Sequence, residues 1–427
     1  MTEAATQKTS QTVPLSAPQT TRMEAKHLRA GFIPLVDASV LIAAVEFGFA
    51  ARQGLAIDLV KDVSWANVRD RLAFQQFDIA HMLSPMPVAS MLGLGSNPSP
   101  TITPFSLGQG GNAITLSVRL FQRMEDTGLI AAGSDALANA KALAAVLSTM
   151  RSAGEPMPTF GMTYPFSSHN YEFRYWLAAG GIDPDRDVRL VVVPPPLTSD
   201  ALAAGAIDGF CVGAPWNMVA SERGVGRIVA AKQDIWPSAP EKVLGMRPDW
   251  AESNQDTVIR LITALDEAAR WCDQPGNRDA LTEALSSARY IGAPGDIIRH
   301  VLDGVFHLDA KGNQRVVDHY FRFHTDQANY PRPSQALWIY SQMIRWGQTR
   351  FDAEVVAKAS SAFRPDIYRA ALGLPDTLAA DDLRVEGAME RDRFIDGMIF
   401  DPADIAAYVA GFPVRAEPEV PAGSDDI

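Results

Sequence analysis

Two runs of alternating strand and helix character, offset from each other by 130 residues (Gly31 to Gly161), constrain this chain more than any single motif. In the first run, residues 28–33 read as a buried strand, 38–53 carry a helical period that stops at Gly54, and 55–61 read as a second strand. Residues 65–75 follow as a helix and 77–83 (FDIAHML) as a third strand. The second run repeats the grammar, with a strand at 160–162, a helix at 169–179 closed by Gly180 and Gly181, and a strand at 188–193. A helix at 202–207 and a strand at 209–212 complete it. Strands separated by helices pair in parallel, because a tight turn cannot return the chain to the same end of the sheet. The fold class is therefore α/β.

Identities recur at that single offset: Gly31 and Gly161, Leu72 and Leu202, Ala73 and Ala203, Asp78 and Asp208, Pro85 and Pro215. Chance likeness between two α/β segments is the plain alternative for so few positions. Two βαβαβ units in tandem nonetheless describe a two-lobed clam-shell, with its ligand between the lobes at the carboxyl ends of the strands. A chain of 427 residues is long enough to give each lobe its own core. We expect residues 1–27 to form a disordered leader, 28–111 the first part of lobe one and 112–222 lobe two. Residues 223–411 should return to lobe one, with a strand at 227–231 and a helical C-terminal extension. Residues 412–427 should form a flexible acidic tail. Strands at 101–107 and 112–118 would cross between lobes, bending at the GQGG of residues 108–111.

Charge narrows the function classes. A net charge of −12 with a pI near 5.1 argues against direct nucleic-acid contact, which needs a basic face. Cys211 and Cys272 are the only cysteines and read as buried free thiols, so a disulfide framework has no support and a reducing compartment is permitted. The first 26 residues are polar and lack the apolar core of a secretory signal. No later stretch offers the roughly 18 apolar residues of a membrane span. These features set the expectation of a cytoplasmic protein that does not contact a membrane.

Gly108-x-Gly110-x-x-Ala113 formally matches a dinucleotide fingerprint, but the β-like NAITLS that follows is where a helix would have to receive the pyrophosphate. The chain has no GxxxxGK[ST], GxSxG or HExxH, and its seven histidines are dispersed, so neither catalytic residues nor a metal site are expected. No paired carboxylates or nucleophile–base set is evident in the cleft either. What remains is a group of donors at the ends of expected strands: Trp65, Asn112, His169 and Lys242. A small planar oxyanion has no apolar body to bury, so its site must be built from converging N–H donors and one full positive charge. His169 and Trp65 each open a helix after serine, where orphan backbone N–H groups favour an anion. Taken singly, each has an ordinary reading: Trp65 and His169 as core residues, Asn112 as a turn residue, Lys242 as a surface charge. His81 reads first as a satisfied core histidine and Asp37 as a helix N-terminal cap.

The segments GFIPLVDASVLIAA, SWANVRD, DIAHMLSPMP, HNYEFRYWLAAGG, FCVGAPWN, EKVLGMRPDW, AARWCDQP, NYPRPSQALW and GMIFDP occur in this order. Together they resemble the nitrate- and bicarbonate-binding proteins of bacterial ABC transporters over residues 28–408. The resemblance implies a periplasmic-binding-protein-like fold of type II, a solute receptor rather than an enzyme, and no cofactor. It places Trp65, Asn112, His169 and Lys242 on the anion, with a backbone contact at Ala66. Two departures accompany it, Asn112 where nitrate-binding members have the longer glutamine, and Ala66 where transport relatives tend to have glycine. Lys242 stands where bicarbonate-binding members place an acidic residue with calcium, which favours nitrate or nitrite and implies no metal. With its polar leader the chain most resembles the cytoplasmic nitrate/nitrite sensors of the NasS type, whose partner is a NasT-type RNA-binding antiterminator. An exported receptor and an enzyme on the same fold are the competing classes. If the His169 imidazolium were the better donor, anion binding would also depend on pH.

Overall fold

The computed structural model describes residues 25–95, 99–131 and 133–416. Residues 1–24 of the expected leader and 417–427 of the expected tail lie outside the described residues. The strands in chain order are β1 (Lys26–Phe32), β2 (Leu55–Lys61), β3 (Ile79–Leu83), β4 (Ile102–Ser106), β5 (Gln109–Gly110), β6 (Asn112–Ser117) and β7 (Thr159–Met162). They continue as β8 (Arg189–Val192), β9 (Gly209–Gly213), β10 (Gly226–Ala231), β11 (Lys242–Met246), β12 (Val305–His307), β13 (Gln314–Val316) and β14 (Phe321–Arg322).

Two five-stranded sheets form the lobes, in the orders β2-β1-β3-β11-β4 and β8-β7-β9-β6-β10. In each, the first three strands are parallel and the fourth runs antiparallel to its neighbour. The 130-residue offset is thus a structural equivalence. Arg29 N donates to the Asp78 carboxylate at 2.8 Å and Asp78 N to Arg29 O, while Thr159 N and Asp208 make the same reciprocal pair. A side chain at Gly31 would strike the Phe77 ring, and one at Gly161 would crowd Ile207, the residue equivalent to Phe77.

Several expectations need correction. β1 starts at Lys26, paired with Leu55, so residues 26 and 27 belong to the sheet rather than to the leader. The helix expected over 38–53 splits into Ser39–Glu46 and Phe49–Arg52, because Gly48 takes a left-handed conformation (φ 75°) between them. The helix expected at 202–207 lies earlier, at Thr198–Ala203. Most consequential, β10 pairs antiparallel with β6 and stays in lobe two, so the return to lobe one comes with β11 and not at residue 227.

The chain therefore crosses between lobes at 107–111 and again at 232–241. At the first crossing a Cβ on Gly110 would lie 1.9 Å from Tyr320 O, so only glycine lets β14 stitch this bend. The helix Gln255–Cys272 packs on Ser39–Glu46 beneath sheet one, burying Leu261, Ile262 and Leu265. Farther on, the helix Pro333–Arg345 carries Trp338 into an aromatic stack with Trp236, Phe394 and Tyr175 of lobe two. Phe412, expected to open a flexible tail, is buried at the edge of this stack against Tyr175 and Tyr408, with the Arg345 guanidinium 3.5 Å from its ring centroid. The described chain stays pinned to Ala416, whose N–H donates to Arg345 O.

Candidate functional site

The four donors singled out in the sequence meet in one buried cluster between the lobes. Ser64 caps the helix Trp65–Ala73 by accepting from Asn67 N, which sets Trp65 and Ala66 in the first turn, where backbone N–H groups have no carbonyl one turn earlier. Ser167 caps the helix Ser168–Ala179 in the same way and sets His169 in its first turn. Asn112 opens β6 and Lys242 opens β11, so neither is a turn or surface residue. All four side chains are almost fully buried.

Trp65 Nε1 and His169 Nε2 find no hydrogen-bond partner among the described residues. His169 Nδ1 lies 2.9 Å from the Thr163 hydroxyl. Burial, reinforced by the Lys242 charge, pushes the His169 imidazole down to about 3, so the ring is neutral at physiological pH. In this anion-free arrangement the neutral ring, not the imidazolium considered from the sequence, is the form the surroundings favour. If Nδ1 accepts from Thr163, the neutral ring presents Nε2–H as a donor. Lys242 Nζ sits 5.7 Å from the Trp65 ring centroid and 2.8 Å from Asp37 Oδ2, and it also bonds Glu241 Oε1.

Three carboxylates complete the cluster: Asp37, expected as a helix cap, and Glu172 and Glu241, which the sequence does not single out. Asp37 caps no helix; Ala38 precedes Ser39–Glu46 with no side-chain cap, and Asp37 is instead buried between Lys242 and His81, whose Nε2 is 3.0 Å from Asp37 Oδ1. His81 is thus a core histidine held by Asp37, its ring 5.3 Å from that of Trp65. Glu172 and Glu241 both accept from Asn112 Nδ2, at 2.9 and 2.5 Å. Lys232, in the second crossing, faces both, at 3.5 Å from Glu172 and 3.2 Å from Glu241. Burial raises the Asp37 and Glu241 carboxyls, but Lys242 and His81 at Asp37, and Lys242 and Lys232 at Glu241, outweigh it and hold both below the ordinary carboxylate range. Burial likewise opposes the Lys242 ammonium, and Asp37 and Glu241 more than offset this. Glu172 has weaker compensation: burial pushes it up to about 7, against the pull of Lys232.

Only two signals for these acids were available. Glu172 lies three residues after His169 and so shares its helix face, and Glu241 precedes Lys242 directly. The cluster also joins the lobes. Val36 N donates to Ala214 O across the cleft at 2.9 Å, and a Cβ on Gly213 would come within 3.0 Å of Asp37 Oδ2. The arrangement is closed.

Sheet order, double crossing and interlobe cluster define a two-lobed, periplasmic-binding-protein-like solute receptor fold. The NMT1-like family model matches residues 21–286, more than half of the chain, and the chain belongs to that family. It is 31% identical over 412 residues to the nitrate/nitrite binding protein NrtA of a Nostoc species, covering 94% of this chain and 89% of the relative. It is 35% identical over 403 residues to the nitrate import ATP-binding protein NrtC of a Synechocystis species, with 93% of this chain aligned. Here the chain spans only 57%, about half, of the relative. The crystal structure of the periplasmic nitrate-binding protein NrtA from Synechocystis superimposes with a TM-score of 0.80 at 29% identity, covering 92% of this chain and 99% of that one. The α/β clam-shell expected from the sequence is the observed fold.

Proposed function

We propose that the chain is a receptor for nitrate or nitrite, which it holds in the interlobe cluster. The observation that carries this reading is the pair of buried ring nitrogens without a hydrogen bond, Trp65 Nε1 and His169 Nε2, the latter 3.8 Å from Glu241 Oε1, in the cluster that holds the Lys242 ammonium. A buried N–H left unpaired costs about 1–3 kcal/mol, and a planar anion with three or two acceptor oxygens relieves several such costs at once. Ala66 N–H, in the first turn of its helix, adds a backbone donor. Asn112 has its amide nitrogen committed to Glu172 and Glu241, so it acts chiefly by ordering those carboxylates. The nitrate-binding NrtA relatives agree with this ligand class. Calorimetric titration of the purified chain with nitrate, nitrite, bicarbonate and sulfate tests it. Binding of the two nitrogen oxyanions alone is expected, weakened by about 1–3 kcal/mol in Trp65→Phe and in His169→Gln. A preference for bicarbonate or sulfate would overturn the ligand assignment.

We further infer a cytoplasmic sensor role of the NasS type, in which anion binding releases a NasT-type antiterminator. An anion shared by two lobes favours the closed arrangement, and a protein partner that prefers the open one is then weakened by the same coupling free energy. The acidic chain, at −12 overall, suits a partner with a basic RNA-binding face. Size-exclusion chromatography of the mixed proteins with nitrate, nitrite or chloride is the test. A complex equally stable in all three rejects release. The relatives, a periplasmic binding protein and an import component, favour a second reading as the receptor of an importer. Cell fractionation separates the two readings, since an importer's receptor would be found outside the cytoplasm.

A further inference from the structure

Two of the histidines dispersed along the sequence meet outside the anion cluster. His300 lies on the helix Gly295–Asp303, and Gly304, in a left-handed conformation (φ 70°), turns the chain into β12 so that His307 comes back beside it. Their rings are 4.3 Å apart between centroids and inclined by 46°. Glu222, the last residue of the helix Trp216–Glu222 of lobe two, faces both, with Oε1 3.0 Å from His307 Nδ1 and 4.0 Å from His300 Nδ1. One ligand atom from each residue lies within 4.8 Å of the other two.

We propose that Glu222, His300 and His307 bind a single divalent transition-metal ion of the zinc class, pinning a lobe-two helix to the segment that packs against it. Two imidazoles and one carboxylate match the donor set zinc prefers. Metal–ligand bonds of about 2.0–2.2 Å in tetrahedral geometry separate ligand atoms by roughly 3.4 Å, a value the two observed separations bracket. A histidine–carboxylate hydrogen bond accounts for His307 and Glu222 but leaves His300 Nδ1 buried with no hydrogen-bond partner among the described residues. A metal ion satisfies all three. The His307 backbone is already fixed, since its carbonyl accepts from the Ser221 hydroxyl and its N–H points at Met218 sulfur. The three side chains keep 23–36% of their surface exposed, which leaves an entry path and room for water as fourth ligand.

The test is to strip the full-length protein with chelator and titrate it with zinc chloride. One equivalent should bind and raise the melting temperature, and cobalt(II) should give the visible absorption of a low-symmetry, four-coordinate site. His300→Asn and His307→Asn should each weaken zinc binding at least tenfold, with circular dichroism and anion binding retained. His27→Asn, a change at an exposed histidine elsewhere, should leave zinc affinity unchanged. The proposal is overturned if the wild-type chain takes up no zinc, or if both histidine variants bind it as tightly as the wild type. The cobalt spectrum decides the matter should either variant fold poorly, because an octahedral spectrum in the wild-type protein would also reject the site.

Discussion

The two lobes share a frame and differ in what they set at its mouth. At equivalent places after the first strand, lobe one has Asp37, buried against Lys242, where lobe two has Ser167, which caps a helix. On the third strand, lobe one has His81 and lobe two Cys211, both buried. Lobe one thus brings a formal ion pair to the cleft beside the neutral Trp65 indole, and lobe two brings the neutral His169 ring together with Glu172, which Asn112 orders. A duplicated sheet can diverge in this way because strand pairing depends on backbone and core, leaving the carboxyl-end loops free to carry the chemistry. The frame itself is held alike in both halves, by Asp78 and Asp208 bridging the first and third strands.

The sharpest way to break this comparison is at Lys242. Lys242→Met leaves Asp37 and Glu241 buried, with the Lys232 ammonium still against Glu241. Removing one partner of a buried pair costs about 3–5 kcal/mol. The variant should lose that stability in denaturant unfolding and lose nitrate binding with it, whereas His169→Gln should lose affinity and keep most of its stability. Equal stability losses in the two variants would show that the lobes do not divide charge and hydrogen bonding in this way.

A smaller effect sharpens the shared half of the comparison. Asp78→Ala and Asp208→Ala each remove the same bond to a strand N–H, and both carboxylates are partly exposed, so each should cost about 1 kcal/mol. Asp208 also pairs with Arg119, but that arginine is largely exposed and adds little. Unfolding midpoints that differ widely between the two variants would mean the frames are not energetically equivalent.

Sequence carried the frame well because its signals are local. The span of β2 and the serine caps ahead of Trp65 and His169 each depend on neighbours in the chain. Errors arose where distant pairing decides. Residues 226–231 form a strand by local pattern, but only the antiparallel ladder to β6 assigns them to lobe two. Asp37 looked like a cap because a short acid before a helix usually is one, and its burial depends on Lys242, more than 200 residues away. Glu172 and Glu241 are illegible in the sequence for the same reason: a buried acid is tolerable only once Lys232 and Lys242 have been folded against it.

Glu172 supplies the smallest effect and the finest test of how a nearly neutral cluster accepts an anion. In the closed structure two ammonium groups, Lys232 and Lys242, face the carboxylates of Asp37 and Glu241, with Glu172 pushed up to about 7 as the third acid. A monoanion entering this cluster adds negative charge that no spare cation meets, so its binding favours the protonated form of the acid easiest to neutralise. Glu172 is that acid, since Asp37 and Glu241 are held low. By linkage, nitrate affinity should rise as pH falls from 8 to 6, through the region where Glu172 takes up its proton, by about three- to tenfold. In the ligand-free chain burial and Lys242 hold His169 down to about 3, well below this range. Stability of the ligand-free chain follows the same sign: a carboxyl whose folded value lies above its unfolded one binds more protons when folded, so its contribution is full below about 4.5 and is lost as pH rises through about 7. Glu172→Gln should remove both dependences while keeping the side chain's size and leaving an oxygen to accept from Asn112. Calorimetry at pH 6, 7 and 8 on the two proteins reads the first, and thermal melts at the same values read the second. A nitrate affinity that falls toward pH 6 in the wild type, or a slope that persists in the glutamine variant, would remove Glu172 as the proton acceptor and shift the charge compensation to the lysines.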